Sequence, residues 1–151
     1  MALGRALSAA IVGVTATIVD VEANVGPGLP RIQIVGLADT AISESRDRMK
    51  TAVANSQLHW PKTKVVVSLS PASMPKAGSH FDVAMCLAIL TASSTDPLVR
   101  QRLSETVLLG EVGLDGSLRP VAGVLPVLMA ARRAGLRRVI VPQGNAAEAA
   151  L

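Results

Sequence analysis

Hydrophobic positions in this chain recur with a period of two in some stretches and with a helical period in others. Residues 11–25 place Val12, Val14, Ala16 and Ile18 on one side, with Asp20 and Glu22 near the end. That alternation predicts a long strand, bent where the acids begin. Gly26-Pro27-Gly28-Leu29-Pro30 reads as a turn. Arg31 to Leu37 follows as a second strand, expected to pair with the first as a hairpin. The period then changes. Asp39 is placed to cap a helix from Thr40 to about Asn55, with Ile42, Met49, Ala52 and Val53 on its inner face. On its outer face, Glu44 and Arg48 stand at i,i+4 and Asp47 and Lys50 at i,i+3, so both pairs are expected to attract. A connector through Trp60-Pro61 leads to the strand-like run Lys64 to Ser70.

The stretch Pro71 to Leu90 carries the densest set of signals. Pro71 and Pro75 remove two backbone donors and Gly78 permits positive φ, which predicts a loop. Ser79 then reads as the N-cap of a helix, with Asp82 three residues on as the partner of a capping box. Val83, Leu87 and Leu90, flanked by Ala84, Ala88 and Ile89, make that helix apolar nearly all round, hence buried. A strand, a proline-glycine loop and a buried helix in succession are a common setting for a site.

Beyond it, residues 91–102 read as a surface loop or short helix, and Thr106 to Gly110 as a strand. Asp115-Gly116 marks a hairpin turn before a short strand, Leu118 to Val121. Gly123 to Ala134 reads as a helix with Pro126 in its first turn, Gly135 as C-cap, and Arg132 and Arg133 in the last turn, where cations suit the dipole. Arg138 to Val141 is a last strand. Asn145 with Glu148 has capping-box form and opens another helix, which the sequence follows for about two turns. Hairpins mixed with single helical crossovers indicate an α+β domain, a mixed sheet with helices packed on it, spanning residues 1–151. A helix capped and then cut suggests a piece of a longer protein.

Composition narrows the chemistry. Half of the 151 residues are apolar, yet there is one tryptophan, one phenylalanine and no tyrosine, so the core must be aliphatic. The single cysteine, Cys86, sits inside the buried helix and excludes an internal disulfide, which fits a cytoplasmic protein. Met1 to Gly13 lacks the pattern of a signal peptide, and no apolar run is long enough for a membrane span. The net charge of +4 is compatible with nucleic acid without demanding it. No phosphate-binding G-x-x-x-x-G-K-[ST] loop, no G-x-G-x-x-G, no C-x-x-C and no H-E-x-x-H occurs, and two histidines, His59 and His80, are too few for a usual zinc site. No metal site and no cofactor are therefore expected here.

Several motifs taken together are specific. They are Val21-Glu22, Gly28-Leu29-Pro30, Ile34-Val35-Gly36-Leu37, Glu44-Ser45-Arg46, Ser70-Pro71-Ala72, the run Lys76 to Asp82, the run Gly110 to Gly116, and the run Asn145 to Ala150. In this order and spacing the chain resembles the N-terminal domain of the ComM/YifB family of magnesium-chelatase-like AAA+ ATPases. The resemblance covers essentially the whole chain. It implies an ATPase domain beyond residue 151 that would carry ATP and Mg, a hexameric ring, and work on DNA, specifically branch migration of incoming DNA.

More distantly, the chain resembles the proteolytic domain of Lon and a domain of RadA, which implies a Lon-protease-like, ribosomal-protein-domain-2-type fold. Lon-type proteases use a Ser-Lys dyad. Here the loop from Pro75 to Asp82 keeps the frame, but His80 falls where the serine belongs. The hairpin with Glu111 is present, yet Leu125 falls where the lysine belongs. Without its base a serine is a weak nucleophile. Ser79 lies one position away and would need another base such as Lys76. Capping is the reading preferred for it, and a structural or surface role for His80.

The expected function is thus a non-catalytic accessory domain serving ring assembly, DNA contact or both. Candidate phosphate contacts are Arg46, Arg48 and Lys50 on one helix and Arg132, Arg133, Arg137 and Arg138 around another, with ordinary solvated surface as the alternative for all seven. Lys76, Gly78, Ser79, Asp82 and Glu111 are expected to build the loop. The near absence of aromatic residues argues against a stacking platform for single strands. The alternatives are a protein-interaction module without a nucleic-acid role, or a residual serine peptidase.

Overall fold

The computed structural model describes residues 2–151. Ala2–Val12 (β1) and Thr15–Gly26 (β2) form an antiparallel hairpin whose turn is made by Gly13, at φ 62°, and Val14. Arg31–Val35 (β3) leads through two helices, Thr40–Ser43 (α1) and Ser45–Asn55 (α2), to Lys64–Ser70 (β4). After a loop and a single 3-10 turn at Ser79–Phe81 come Asp82–Thr91 (α3) and Pro97–Ser104 (α4). Thr106–Leu108 (β5), the ribbon Glu111–Val112 (β6) and Leu118–Arg119 (β7), Val124–Arg133 (α5), Arg138–Ile140 (β8) and Ala146–Ala149 (α6) complete the chain.

Six strands make one mixed sheet in the order β3-β4-β2-β1-β5-β8. β1, β2 and β4 are antiparallel neighbours, whereas β3, β5 and β8 join in parallel. The sheet separates two cores because successive strand residues point to opposite faces. On one face, Ala6, Ala10, Val19, Val21 and Ala23 pack against Ile42 and Met49 of α1–α2 and Met85, Ala88 and Ile89 of α3. On the other, Leu7, Ala9 and Ala16 pack against Val124, Val127 and Ala130 of α5. Each of the larger side chains, such as Phe81, Met49 and Leu69, contributes about 1.5–3 kcal/mol by leaving water.

The α+β mixed sheet expected from the sequence is the architecture found, but its strand pairing differs. The expected hairpin of residues 11–25 with 31–37 does not form. β4 lies between β2 and β3, and β3 pairs with β4 in parallel. Parallel neighbours need a crossover, and α1 and α2 supply it. The hairpin partner of β2 is β1, a strand not assigned from the sequence. It is built of small residues because α3 crosses close over it: a Cβ on Gly4 would meet the carbonyl oxygen of Ala88 at 1.9 Å.

Two expected caps are replaced. The helix after Gly78 begins at Asp82 without a side-chain cap, and Ser79 opens the 3-10 turn instead. Asn145 is the N-cap residue of α6 but makes no side-chain bond to the helix backbone; its Oδ1 accepts from the Val121 N–H at 2.9 Å, and its Nδ2 donates to the Val121 carbonyl at 2.8 Å and to Glu148 Oε1 at 2.6 Å. Asp39 does cap α1, accepting from the Ile42 N–H at 2.9 Å. The single helix expected over 40–55 is divided at Glu44, and neither pair expected on its outer face forms a salt bridge.

Candidate functional site

The loop between β4 and α3 is fastened to the loop that follows β3. The Ser70–Pro71 peptide is cis. Lys76 pairs with the β3–α1 loop: its N–H donates to the Leu37 carbonyl at 3.0 Å, and its carbonyl accepts from the Asp39 N–H at 3.1 Å. Its side chain is 1% exposed, and the ammonium donates to the Gly36 carbonyl at 2.7 Å and to the Pro71 carbonyl. It has no carboxylate partner among the described residues. Burial pulls the Lys76 pKa below the ordinary lysine value. Gly78 follows at φ 106°, and its N–H donates to Asp39 Oδ2 at 3.3 Å.

His80 is turned inward under the sheet. Its Nε2 donates to the Ala9 carbonyl of β1 at 2.7 Å, and its ring lies 4.3 Å from that of Phe81. Burial lowers its pKa, so the imidazole is neutral near pH 7. Asp82, fully buried, accepts two bonds from Arg48, Nε at 2.8 Å and Nη2 at 3.0 Å, and a third from the Val112 N–H of β6 at 3.1 Å. The remaining reach of Arg48 Nη2 goes to the Ala41 carbonyl at 3.0 Å. Burial pushes the Asp82 carboxyl up against the pull of Arg48 and the Val112 N–H, and the hydrogen bond to Asp82 raises Arg48. Glu111, half-buried at the start of β6, acts electrostatically on both. This buried pair was missed from sequence because its partners lie 34 residues apart and each had a plausible local role.

The matches to known proteins bear on this arrangement. The family model described as "Subunit ChlI of Mg-chelatase" matches residues 21–145. The chain belongs to this family. It is 48% identical to an uncharacterised protein of Mycobacterium tuberculosis, over all of this chain and 30% of that protein. It is 36% identical to the competence protein ComM of Haemophilus influenzae, over all of this chain and 29% of that protein. It is 31% identical to the Lon protease of Phenylobacterium zucineum, over 85% of this chain and 16% of that protein. The chain thus spans less than a third of the length of these relatives.

In this ChlI-family chain, the two residues that the resemblance to Lon places at the dyad positions, His80 and Leu125, are a histidine bonded to backbone and a leucine. Leu125 is 48% exposed in the first turn of α5. Ser79 is half-buried, and among the described residues no hydrogen bond joins it to Lys76. Among the described residues, no group of three or more His, Cys, Asp or Glu is placed to hold a metal ion.

The seven cations singled out for phosphate contact do not come together. Arg46 and Lys50 are exposed on α2, which lies on one face of the sheet by β3, where Arg46 Nη1 donates to the Ile32 carbonyl at 3.4 Å. Arg48 is turned inward to Asp82. Arg132, Arg133, Arg137 and Arg138 are exposed around the end of α5 and the start of β8, on the other face and at the opposite edge. Five strand spacings separate those edges, about 24 Å at the usual interval. Arg46 and Lys50 instead share a groove of about 960 Å³ with Trp60. No local signal marks that grouping, because Trp60 lies in the connector with residues 61–63 and the rest of the lining comes from residues 30–32 and 40–50.

Proposed function

We propose that this chain is a Lon-protease-like accessory domain of a magnesium-chelatase-like AAA+ ATPase, and that it serves ring assembly, DNA contact or both rather than peptide cleavage. One observation carries the non-catalytic part of this reading. His80 and Leu125 are read as the residues at the Lon dyad positions; His80 Nε2 is held by the Ala9 carbonyl and Leu125 offers no titratable group. Covalent catalysis needs a nucleophile within hydrogen-bond reach of a base. Lys76, the nearest alternative base in sequence, is enclosed by the Gly36 and Pro71 carbonyls. In this reading ATP and Mg belong to a module outside residues 1–151, and the hexameric ring to the full-length protein.

DNA contact is what the resemblance to the ComM/YifB family implies, and a relative named as a competence protein is in keeping with it. The exposed arginines around α5 and β8 are the candidates for backbone contact, and Arg46 and Lys50 on α2 would need a second contact point. Arginine and lysine grip phosphates without reading sequence, so binding should weaken steeply with salt.

The test uses the full-length protein. ATP turnover stimulated by branched or duplex DNA, with affinity falling as salt rises and weakened by Arg132→Glu with Arg133→Glu, is the expected result. Absence of DNA binding at low salt would reject DNA contact, and a monomeric mass with ATP and Mg present would reject the ring. Peptide cleavage lost in Ser79→Ala would overturn the non-catalytic reading.

A further inference from the structure

The groove beside α2 joins two of the candidate DNA contacts, Arg46 and Lys50, to an apolar floor that the DNA reading does not use. Its lining includes Pro30, Ile32, Trp60 and Pro61, an apolar floor made by the ends of β3 and the segment entering β4. Arg31, Arg46, Lys50 and Lys62 also line it. Among the described residues, none of these four cations forms a salt bridge, although Glu44 and Asp47 line the same groove. Four cations against two carboxylates leave this concave, partly apolar site with a net positive balance, which attracts anionic groups. Trp60 is half-buried, with its packed side against the α2–α3 core, so the groove has a fixed floor.

We propose that this groove is a docking site for an acidic peptide segment of a partner protein, with an apolar side chain seated near Trp60 and carboxylates over Arg31, Arg46, Lys50 and Lys62. The observations favour a peptide over a single-stranded nucleic acid. A nucleic acid carries a phosphate at every nucleotide, and a run of them through the groove would meet Glu44 and Asp47. A peptide carries carboxylates only where its sequence places them, so it can answer the four cations and avoid the two acids. An apolar anchor flanked by charges is also how specific interfaces are built, with a desolvated centre and a polar rim. The proposal is independent of the role of the arginines around α5, which lie on the other face of the sheet.

Trp60 is the single tryptophan of the chain and there is no tyrosine, so its fluorescence reports on the groove alone. The probe is the acetylated, amidated peptide Glu-Asp-Leu-Phe-Glu-Asp, titrated into the chain at low and at moderate salt. A saturable change in Trp60 emission is expected, weaker at the higher salt. Arg46→Glu with Lys50→Glu, both exposed positions, should weaken it by about tenfold or more, since like charges then face the ligand. Arg132→Glu with Arg133→Glu should leave it unchanged. The neutral analogue Gln-Asn-Leu-Phe-Gln-Asn should not bind. Thermal melts matching the parent chain show that the variants are folded. No saturable change, or equal binding by the neutral analogue, overturns the proposal. A change produced by oligodeoxythymidylate and not by the acidic peptide overturns it in favour of nucleic acid.

Discussion

Arg48 and Asp82 stand 34 residues apart and meet as a two-pronged ion pair, Nε to Oδ2 at 2.8 Å and Nη2 to Oδ1 at 3.0 Å, with the carboxylate fully buried. The pair joins α2 to the start of α3, and the third bond of Asp82, from the Val112 N–H, adds the β6–β7 ribbon. Removing one member of a buried pair leaves the other charge without compensation, which typically costs about 3–5 kcal/mol. Arg48→Met is therefore expected to destabilise the domain strongly. Arg48→Lys should recover only part of the loss, because an ammonium cannot span both oxygens. Urea unfolding of the two variants measures this. A loss under about 1 kcal/mol for Arg48→Met would show the pair to be no more than a surface contact.

Ser79 tests the replacement of the expected cap. A serine that truly caps a helix loses about 1 kcal/mol when cut to alanine. Here the helix begins at Asp82 and no side-chain cap bond is made. Ser79→Ala is expected to change stability by less than about 0.5 kcal/mol, the usual range for a substitution that breaks no named interaction. Denaturant unfolding decides between the two values, and the larger one would restore the capping role.

His80 makes the fold sensitive to acid. Its pKa in the folded chain lies below the ordinary 6.5 because burial disfavours the imidazolium. Between the folded value and 6.5 the unfolded chain binds more protons, so stability rises with pH through that window. The contribution is fully present above 6.5 and is lost as pH falls toward the folded value. The slope from this one group is at most about 1.4 kcal/mol per pH unit. His80→Gln can keep a donor toward the Ala9 carbonyl without titrating. Its urea midpoint should fall less than that of the parent chain between about pH 7.5 and about pH 5. Equal falls in the two proteins would contradict a buried neutral His80.

What could be read in the sequence followed from local physics. The alternation in Lys64–Ser70, the apolar run of α3, the Asp115-Gly116 turn and Gly135 after α5 each act over a few residues, and each appears where expected. The inner face of α1–α2 was legible for the same reason, since Ile42, Met49, Ala52 and Val53 are all buried. What failed was decided at long range. The run Ala2–Val12 is rich in alanine, a poor strand former, and it is a strand because it sits mid-sheet with helices packed on both faces. β3 looked like the partner of β2 because the turn between them is so plain, yet β4 takes that edge of β2. Asn145 and Ser79 carried local capping signals that lost to other geometry. Of the candidate loop, Gly78 was legible through its positive φ. The enclosure of Lys76 by two carbonyls and of His80 by β1 was not, because backbone acceptors leave no mark on a sequence.

Gly4 shows how one missing side chain lets α3 lie on β1. A Cβ there would meet the Ala88 carbonyl oxygen at 1.9 Å, its carbon at 2.9 Å and the Ala92 Cα at 3.0 Å. All three are backbone atoms of α3 or its C-cap residue, which cannot rotate aside as a side chain would. Gly4→Ala must therefore push α3 away from the sheet or bend β1. Overpacking of this kind costs about 1–3 kcal/mol, and a chain of this length loses about 2–4 °C of melting temperature per kcal/mol. Gly13, in the β1–β2 turn, is the control. A Cβ there meets nothing within 4 Å, and its φ of 62° is one that asparagine tolerates. Gly13→Asn should melt close to the parent chain and Gly4→Ala clearly below it. Similar melting temperatures for Gly4→Ala and the parent would mean that α3 can slide on β1 without loss, against the close packing of that face.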